Sequence, residues 1–455
     1  MTKVNKFNFY FSLIIIFLII FILAFNYINY DPKYGYDAEA HYEYVEGFFA
    51  LFVPNLSDQA SNEITREFFN PPLPYVIPAT FSLACRNTID VEDKAKYCQK
   101  YYGKIIQVTN SLFYLLTLYF YLLTFKFITK GKLLNLNVLL PISLLAVNYR
   151  TFSMLRGEPY IIFINSLLIF LLSKYLDREF KLRKKDFLIF GLFLGLIGLS
   201  RQWAFLLFPA YGYFLFYENN IQIKKRVLKF LVYVFSIAFI VCSWFYFKLF
   251  FEFGSFTAFN MDPSEFNFIN QPLDFYLIGK DQMRYLFTKP IRPYLGNNLL
   301  SILYSDLWGD YWGYFAFTSR YLDIGRNQLL IGDYLARVNA VSLVPTFLIF
   351  IGFFKAKKVF IETNLKKFIP LLNFIKLSAI FSIIGYVWFL IKYPEVPQSG
   401  TIKATYMIQF FHLLTLPLMF YLDYLKKIKI KSYLFVICSL LIVFAHNFSS
   451  YLSHF

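Results

Sequence analysis

Long apolar runs broken by short polar segments recur along the chain, rich in Leu, Ile, Phe and Tyr and poor in charge. A helix that crosses a hydrocarbon core of ~30 Å needs about 20 such residues. The pattern therefore predicts an all-α polytopic membrane protein with about eleven transmembrane helices, near 8–29, 105–128, 134–150, 158–176, 187–200, 202–218, 229–251, 336–354, 367–392, 403–423 and 433–452. Arg201 separates the fifth and sixth, which are the shortest of the set. The first is too long for a cleavable signal peptide and no small-residue cleavage site follows it, so it is expected to stay as a span. Two stretches, 30–104 and 252–335, break the rhythm and form long polar loops within what reads as a single integral membrane domain, 1–455.

Lys and Arg in the short loops set the orientation. With the N-terminus (Lys3, Lys6) in the cytoplasm, the segments Lys126–Lys132, Arg178–Lys185, Lys224–Lys229, Lys355–Lys358 and Lys426–Lys431 all fall on the cytoplasmic side. Both long loops then face outward, and each holds more Asp and Glu than Lys and Arg. A bacterial or archaeal plasma membrane is the expected location, with an endoplasmic-reticulum membrane as the alternative.

Composition supports this reading and excludes others. The chain is 58% hydrophobic, 22% aromatic and only 16% charged, against about a quarter charged in a typical soluble domain. A net charge of +17 does not indicate nucleic acid, because the cations lie in short loops between spans rather than on one face. No GxxxxGK[ST], GxGxxG opening a helix, HExxH or CxxC is present, so a nucleotide-driven pump lacks its engine. Cys85 and Cys98 share an outer loop where a disulfide is permitted, although spacing alone leaves it open. Cys242 and Cys438 lie in apolar runs and read as packing residues. Asn55-Leu56-Ser57 is a glycosylation sequon.

The first loop opens Tyr36-Asp37-Ala38-Glu39-Ala40-His41. Ala38, Tyr42, Val45, Phe49 and Phe52 follow helical spacing, which predicts an amphipathic helix lying on the membrane surface, with Glu39, Glu43 and Glu46 on its wet face. Asp37 then stands at the N-cap and His41 one turn on. Two readings follow: a capped interfacial helix, or an acid/base or divalent-metal cluster of Asp37, Glu39 and His41. Next comes Phe69-Asn70-Pro71-Pro72-Leu73-Pro74-Tyr75, whose prolines force a sharp turn. The apolar stretch Val76–Ala84 after it is too short to span and reads as surface-lying or re-entrant. Arg156, Glu158, Arg201 and Lys403 sit at span ends; Arg156 and Glu158 can pair. Singly the cations read as snorkelling side chains, and together as a site for an anionic group such as a lipid phosphate. His412, deeper in a span, reads as a packed or hydrogen-bonded residue. In the second loop, Trp308, Asp310 and Trp312 belong to an aromatic, Gly- and Asp-rich stretch that suits sugar stacking or an interfacial aromatic belt.

Four of these segments, in this order, resemble the GT-C class of polytopic glycosyltransferases, in particular its branch related to the protein mannosyltransferases. They are Tyr36–His41, Phe69–Tyr75 (like that branch's "PPLYY" segment), Trp308–Gly313 and Ile402-Lys403-Ala404-Thr405-Tyr406. The resemblance implies a GT-C-like fold, with surface-lying helices in both outer loops and an outward-facing site. Its donor would be a sugar on a polyprenyl phosphate, and its acceptor a glycan, lipid or protein. It also implies Asp37 as catalytic base supported by Glu39 and His41, with a divalent metal as the only candidate cofactor. Lys403, Tyr406, Arg156 and Arg201 would then contact the donor phosphate. Asp-Ala-Glu replaces the adjacent acids of some relatives, which leaves Asp37 and Glu39 as competing bases. A transporter or flippase of a lipid-linked or anionic substrate is the main alternative, and a scaffolding membrane protein the third reading.

Overall fold

The computed structural model describes residues 3–51, 67–316, 326–396 and 400–453. The sequon Asn55-Leu56-Ser57 lies outside the described residues. Every regular element among them is a helix. Seven helices are long and apolar enough to cross a membrane: Val4–Asn29, Lys94–Thr129, Glu158–Asp177, Ile221–Phe253, Leu330–Glu362, Lys366–Lys392 and Ala404–Ile428. The first lies in the 27-residue helix Lys3–Asn29, about 40 Å of rise. It carries Leu, Ile and Phe on all sides, as a lipid-facing helix does.

The remaining four apolar segments form shorter or broken helices. Segment 134–150 breaks into Leu136–Ser143 and Ala146–Thr151. Segment 187–200 is the 15-residue helix Lys184–Gly198, and 433–452 is Ile430–His446 followed by a 3₁₀ turn. Segment 202–218 is two 3₁₀ turns and the short helix Tyr213–Tyr217, because Pro209 and Gly212 deny it a continuous ladder.

The chain divides into two compact units. One comprises 1–30, 118–150 and 263–455. At its centre Ile408–Ile428 packs against Leu343–Glu362, Ile369–Lys392, Leu136–Ser143 and Ile430–His446. A Cβ at Gly352 would meet the backbone of Leu418 at 2.6 Å, so glycine is what lets that pair approach. The break after Ser143 frees carbonyls, which cannot stay unpaired in an apolar setting. Side chains take them up: Asn148 Nδ2 donates to Ile142 O (2.8 Å), Tyr149 OH to Ser143 O (2.9 Å) and Tyr451 OH to Leu144 O (3.3 Å). His412, as expected, is buried and hydrogen-bonded, to Asn148 at 2.8 Å and Tyr121 at 3.2 Å.

The other unit comprises 31–117 and 151–262. The helix Ala38–Leu51 lies on Leu73–Thr88, and Lys184–Gly198 on Ile221–Phe253, where a Cβ at Gly191 or Gly195 would sit 2.6 Å from Ile237 or Val241. The first-loop helix differs from the expected membrane-surface helix. Ala38, Tyr42, Val45 and Phe48 are buried, the last three in a core with Phe68, Tyr75 and Tyr102, so protein covers the face assigned to lipid. Glu39 and Glu43 are exposed, but Glu46 pairs with Arg86 and accepts from Tyr102 OH at 2.9 Å. Cys85 and Cys98 form a disulfide that ties Leu73–Thr88 to Lys94–Thr129. Cys242 is buried, as a packing residue should be, whereas Cys438 is exposed on its helix.

In the first unit Arg150 is 1% exposed and meets both Asp306 (2.9 Å) and Asp310 (3.2 Å). Removing one partner from a buried ion pair costs about 3–5 kcal/mol because the other charge stays behind. Arg150→Met is therefore expected to lower the thermal midpoint in detergent sharply, with Asp310→Asn in the same chain recovering part of the loss. A wild-type midpoint for Arg150→Met would show the pair to be dispensable.

Candidate functional site

In the second unit four chain segments bring charged and polar side chains into one buried network. Glu67 and Asn70 bracket a turn in which Asn70 N–H donates to Glu67 O at 2.9 Å. The prolines at 71 and 72 then end that turn, and Pro74 suits the first turn of the following helix, where an N–H is not needed. Leu73 N–H donates to Leu199 O at 3.0 Å, which draws the turn onto the end of Lys184–Gly198. Arg156 and Glu158 flank Gly157, and a Cβ there would lie 2.1 Å from Ser200 O. Only glycine lets those two strands of chain touch, and their contact places Glu158 beside Arg201.

Arg201 is the hub. Its Nε donates to Glu158 Oε1 at 3.1 Å, and Nη1 reaches Glu67 Oε2 at 3.6 Å and bonds Asn70 Oδ1. Asn70 Nδ2 in turn donates to Glu67 Oε2. Arg156 Nε lies 3.6 Å from Glu158 Oε2, with its guanidinium over the Tyr36 ring. On the far side His41 Nδ1 is 2.6 Å from Tyr75 OH, and Nε2 is 3.9 Å from Glu67 Oε2. Tyr44 stacks on Tyr75 at 3.9 Å and donates its OH to Asn70 O. Burial holds the Tyr75 phenol well above its ordinary pKa, and the Glu67 carboxylate pushes the same way, so Tyr75 stays protonated. A protonated Tyr75 can donate to Nδ1, an arrangement that matches a neutral His41 with its proton on Nε2, toward Glu67.

Asp37 stands at the edge of this network. It is partly exposed, whereas Glu67 and Glu158 are buried. Its φ of 50° is in the left-handed region, not the extended conformation of an ordinary N-cap. That conformation is uncommon outside glycine, and Asp is among the residues that tolerate it. The charge on Asp37 is felt by Glu67. Burial raises the Glu67 carboxyl first and Asp37 next, with Arg201, Arg156 and the Asn70 hydrogen bond opposing them.

The structure thus brings together Asp37, His41, Arg156 and Arg201 from the sequence expectation and leaves Glu39 out. Positions 39 and 41 lie about 200° apart around the helix Ala38–Leu51, so Glu39 faces away from His41. Glu39 is exposed while His41 is fully buried on Tyr75. Among the described residues no three His, Cys, Asp or Glu side chains converge as a ligand set, and the expected trio Asp37, Glu39 and His41 does not fit a metal. Arg156 and Arg201 are 1% and 3% exposed. They are interior ion-pair partners rather than snorkelling cations, and Arg201 is engaged by carboxylates, not presented to a phosphate. The pairing of Arg156 with Glu158 is as expected.

The later motifs meet inside the first unit. Asp306 Oδ2 accepts from Ala404 N–H (2.7 Å), Trp312 Nε1–H donates to Ile402 O (3.0 Å), and Tyr386 OH donates to Thr401 O (2.8 Å). This clasp holds Lys403, whose Nζ is 3.3 Å from Tyr406 OH. Trp308, Asp310 and Trp312 are interior, at 0–3% exposure, where a sugar-stacking surface was expected. Asp310 is spent on Arg150 and on the N–H groups of Phe315 and Ala316, both at 2.9 Å.

Glu67, Asn70, Tyr75, Arg150 and Asp306 carry these networks and were not selected from sequence. The one available signal was a charged residue beside a proline turn (Glu67) or ending an apolar run (Arg150). No family model matches the sequence, and comparison with curated proteins and with solved structures finds no match.

A carboxyl raised in the fold binds a proton that the unfolded chain has released. Its stabilising contribution is complete below the ordinary glutamate pKa and is lost as pH rises through the folded value. Wild-type thermal midpoints in detergent should therefore fall as pH rises above the ordinary glutamate range, and Glu67→Gln should flatten that slope. An equal slope in Glu67→Gln would remove Glu67 as its source.

Proposed function

We propose that this chain is a membrane glycosyltransferase of the GT-C kind, moving a sugar from a polyprenyl-phosphate donor to an acceptor hydroxyl with Asp37 as base. The observation that carries the reading is Asp37 itself. It is a partly exposed carboxylate in a left-handed backbone, at the rim of a buried network of His41, Glu67, Tyr75, Arg156, Glu158 and Arg201. A group in so uncommon a conformation persists where its surroundings fix it, and such positions cluster at functional sites.

In the reaction the acceptor oxygen attacks the anomeric carbon while the bond from that carbon to the phosphate oxygen breaks. The electron pair leaves with the polyprenyl phosphate, and the hydroxyl proton passes to Asp37. Such a positioned base contributes about 10²–10⁴-fold. Behind it Glu67 and Glu158 are committed to Arg201, which leaves Asp37 as the partly exposed carboxylate of the group. A single displacement of this kind inverts the anomeric configuration. Between the two acids left open by sequence, this geometry favours Asp37 over Glu39.

In this reading the four shorter apolar segments complete eleven crossings, the N-terminus is cytoplasmic, and Asp37 faces outward on a plasma membrane. Transport is less favoured. Broken membrane helices in transporters present free carbonyls to ions, whereas the carbonyls at the break after Ser143 are occupied by Asn148, Tyr149 and Tyr451.

The test is mass spectrometry of lipid extracts from cells lacking the gene and rescued with variants. A polyprenyl-phosphate sugar should accumulate in the deletion and clear with wild type or Glu39→Gln, but persist with Asp37→Asn. An unchanged lipid profile in the deletion, or full rescue by Asp37→Asn, would overturn the proposal.

A further inference from the structure

Residues 264–286, outside the seven long apolar helices, carry an apolar surface that water would not favour. Phe268, Ile269, Leu273 and Leu277 are 63%, 85%, 72% and 59% exposed. One exposed Leu means little, but a contiguous apolar patch marks a surface that something covers.

The segment is firmly anchored. Ser264 N–H donates to Lys392 O at 2.8 Å, Asn270 Nδ2 to Ile391 O at 3.0 Å and Gln271 Nε2 to Leu390 O at 2.7 Å. These carbonyls belong to the last turn of the span Lys366–Lys392, where a helix has no internal donors left. From within, Asn298 Nδ2 donates to Asp274 O and Leu277 O, and Phe275 is fully buried. The patch therefore sits at the height where that span ends. Trp388, one turn earlier, is exposed, with Lys392 Nζ 6.0 Å from its ring, a pairing usual at a bilayer boundary.

We propose that this segment is a bilayer-inserted foot: Phe268, Ile269, Leu273 and Leu277 enter the boundary of the acyl chains beside the end of Lys366–Lys392. The occupant is lipid hydrocarbon rather than an anionic headgroup, because the exposed cations Lys280 and Arg284 are balanced by Asp274 and Asp281. The segment is anchored on the end of Lys366–Lys392, a helix long and apolar enough to span the membrane. It holds whether or not the chain transfers sugars.

The full-length chain, with Cys438→Ser to remove its exposed thiol, would carry a nitroxide at Ile269→Cys, Leu273→Cys or, as a wet reference, Asp281→Cys. Each would be placed in phosphatidylcholine vesicles with and without phosphatidylglycerol. Expected is a higher collision rate with oxygen than with a water-soluble nickel chelate at 269 and 273, the reverse at 281, and no dependence on phosphatidylglycerol. Nickel access at 269 and 273 equal to that at 281 would overturn the proposal. So would exclusion of both probes, which would put a second copy of the chain on the patch. Agreement of the two foot positions guards against one label having disturbed the fold.

Discussion

The position of one guanidinium organises the candidate site. Arg201 joins Glu158, Glu67 and Asn70, which come from two stretches of chain far from each other in sequence. Taking an arginine and two carboxylates out of water costs several kcal/mol per ion, and close geometry must return it. That geometry exists only because residue 157 has no side chain to hold Ser200 away. Without that steric allowance Glu158 and Arg201 would separate. The other unit uses the same device, with Arg150 between Asp306 and Asp310. In both, an arginine fixes irregular backbone where no helix ladder can.

Seven of the eleven expected spans were legible as long apolar helices, because apolar composition over 20 residues has few alternative explanations. The proline turn was legible too, since Pro71 and Pro72 leave the backbone little choice. Partners distant in sequence were not. Nothing local tells that Arg201 lies against Glu158 rather than at the membrane surface, because the approach of Gly157 to Ser200 is a tertiary event. Trp308, Asp310 and Trp312 look like a sugar-binding surface when read alone, for aromatic and acidic residues suit sugars. Their burial follows from Arg150, which reads as the end of an apolar run. The first-loop helix was legible as a helix with Ala38, Tyr42 and Val45 on one face. That its apolar face meets protein and not lipid depends on Leu73–Thr88 covering it, which periodicity does not encode.

If Asp37 is the base we propose, position selects it among similar groups. Three acidic side chains are near: Glu67 and Glu158 buried and committed to arginine, and Glu39 facing solvent. Asp37 alone combines partial access with electrostatic contact to the interior. His41 and Tyr75 are interior and bonded to each other.

The division of the chain also has a bearing on how it is made. The unit built from 1–30, 118–150 and 263–455 is closed by its ends. Asn8 accepts from Tyr433, and Asn26 is bonded to Tyr451 O and Ser453 N, partners some 425 residues later. At ~5–20 residues per second of synthesis, the first helix waits on the order of 20–85 s with two amides unsatisfied by those partners. A nascent chain in that state offers polar handles within an otherwise apolar span, the kind of feature that membrane quality-control machinery can hold or hydrolyse until the last helix arrives.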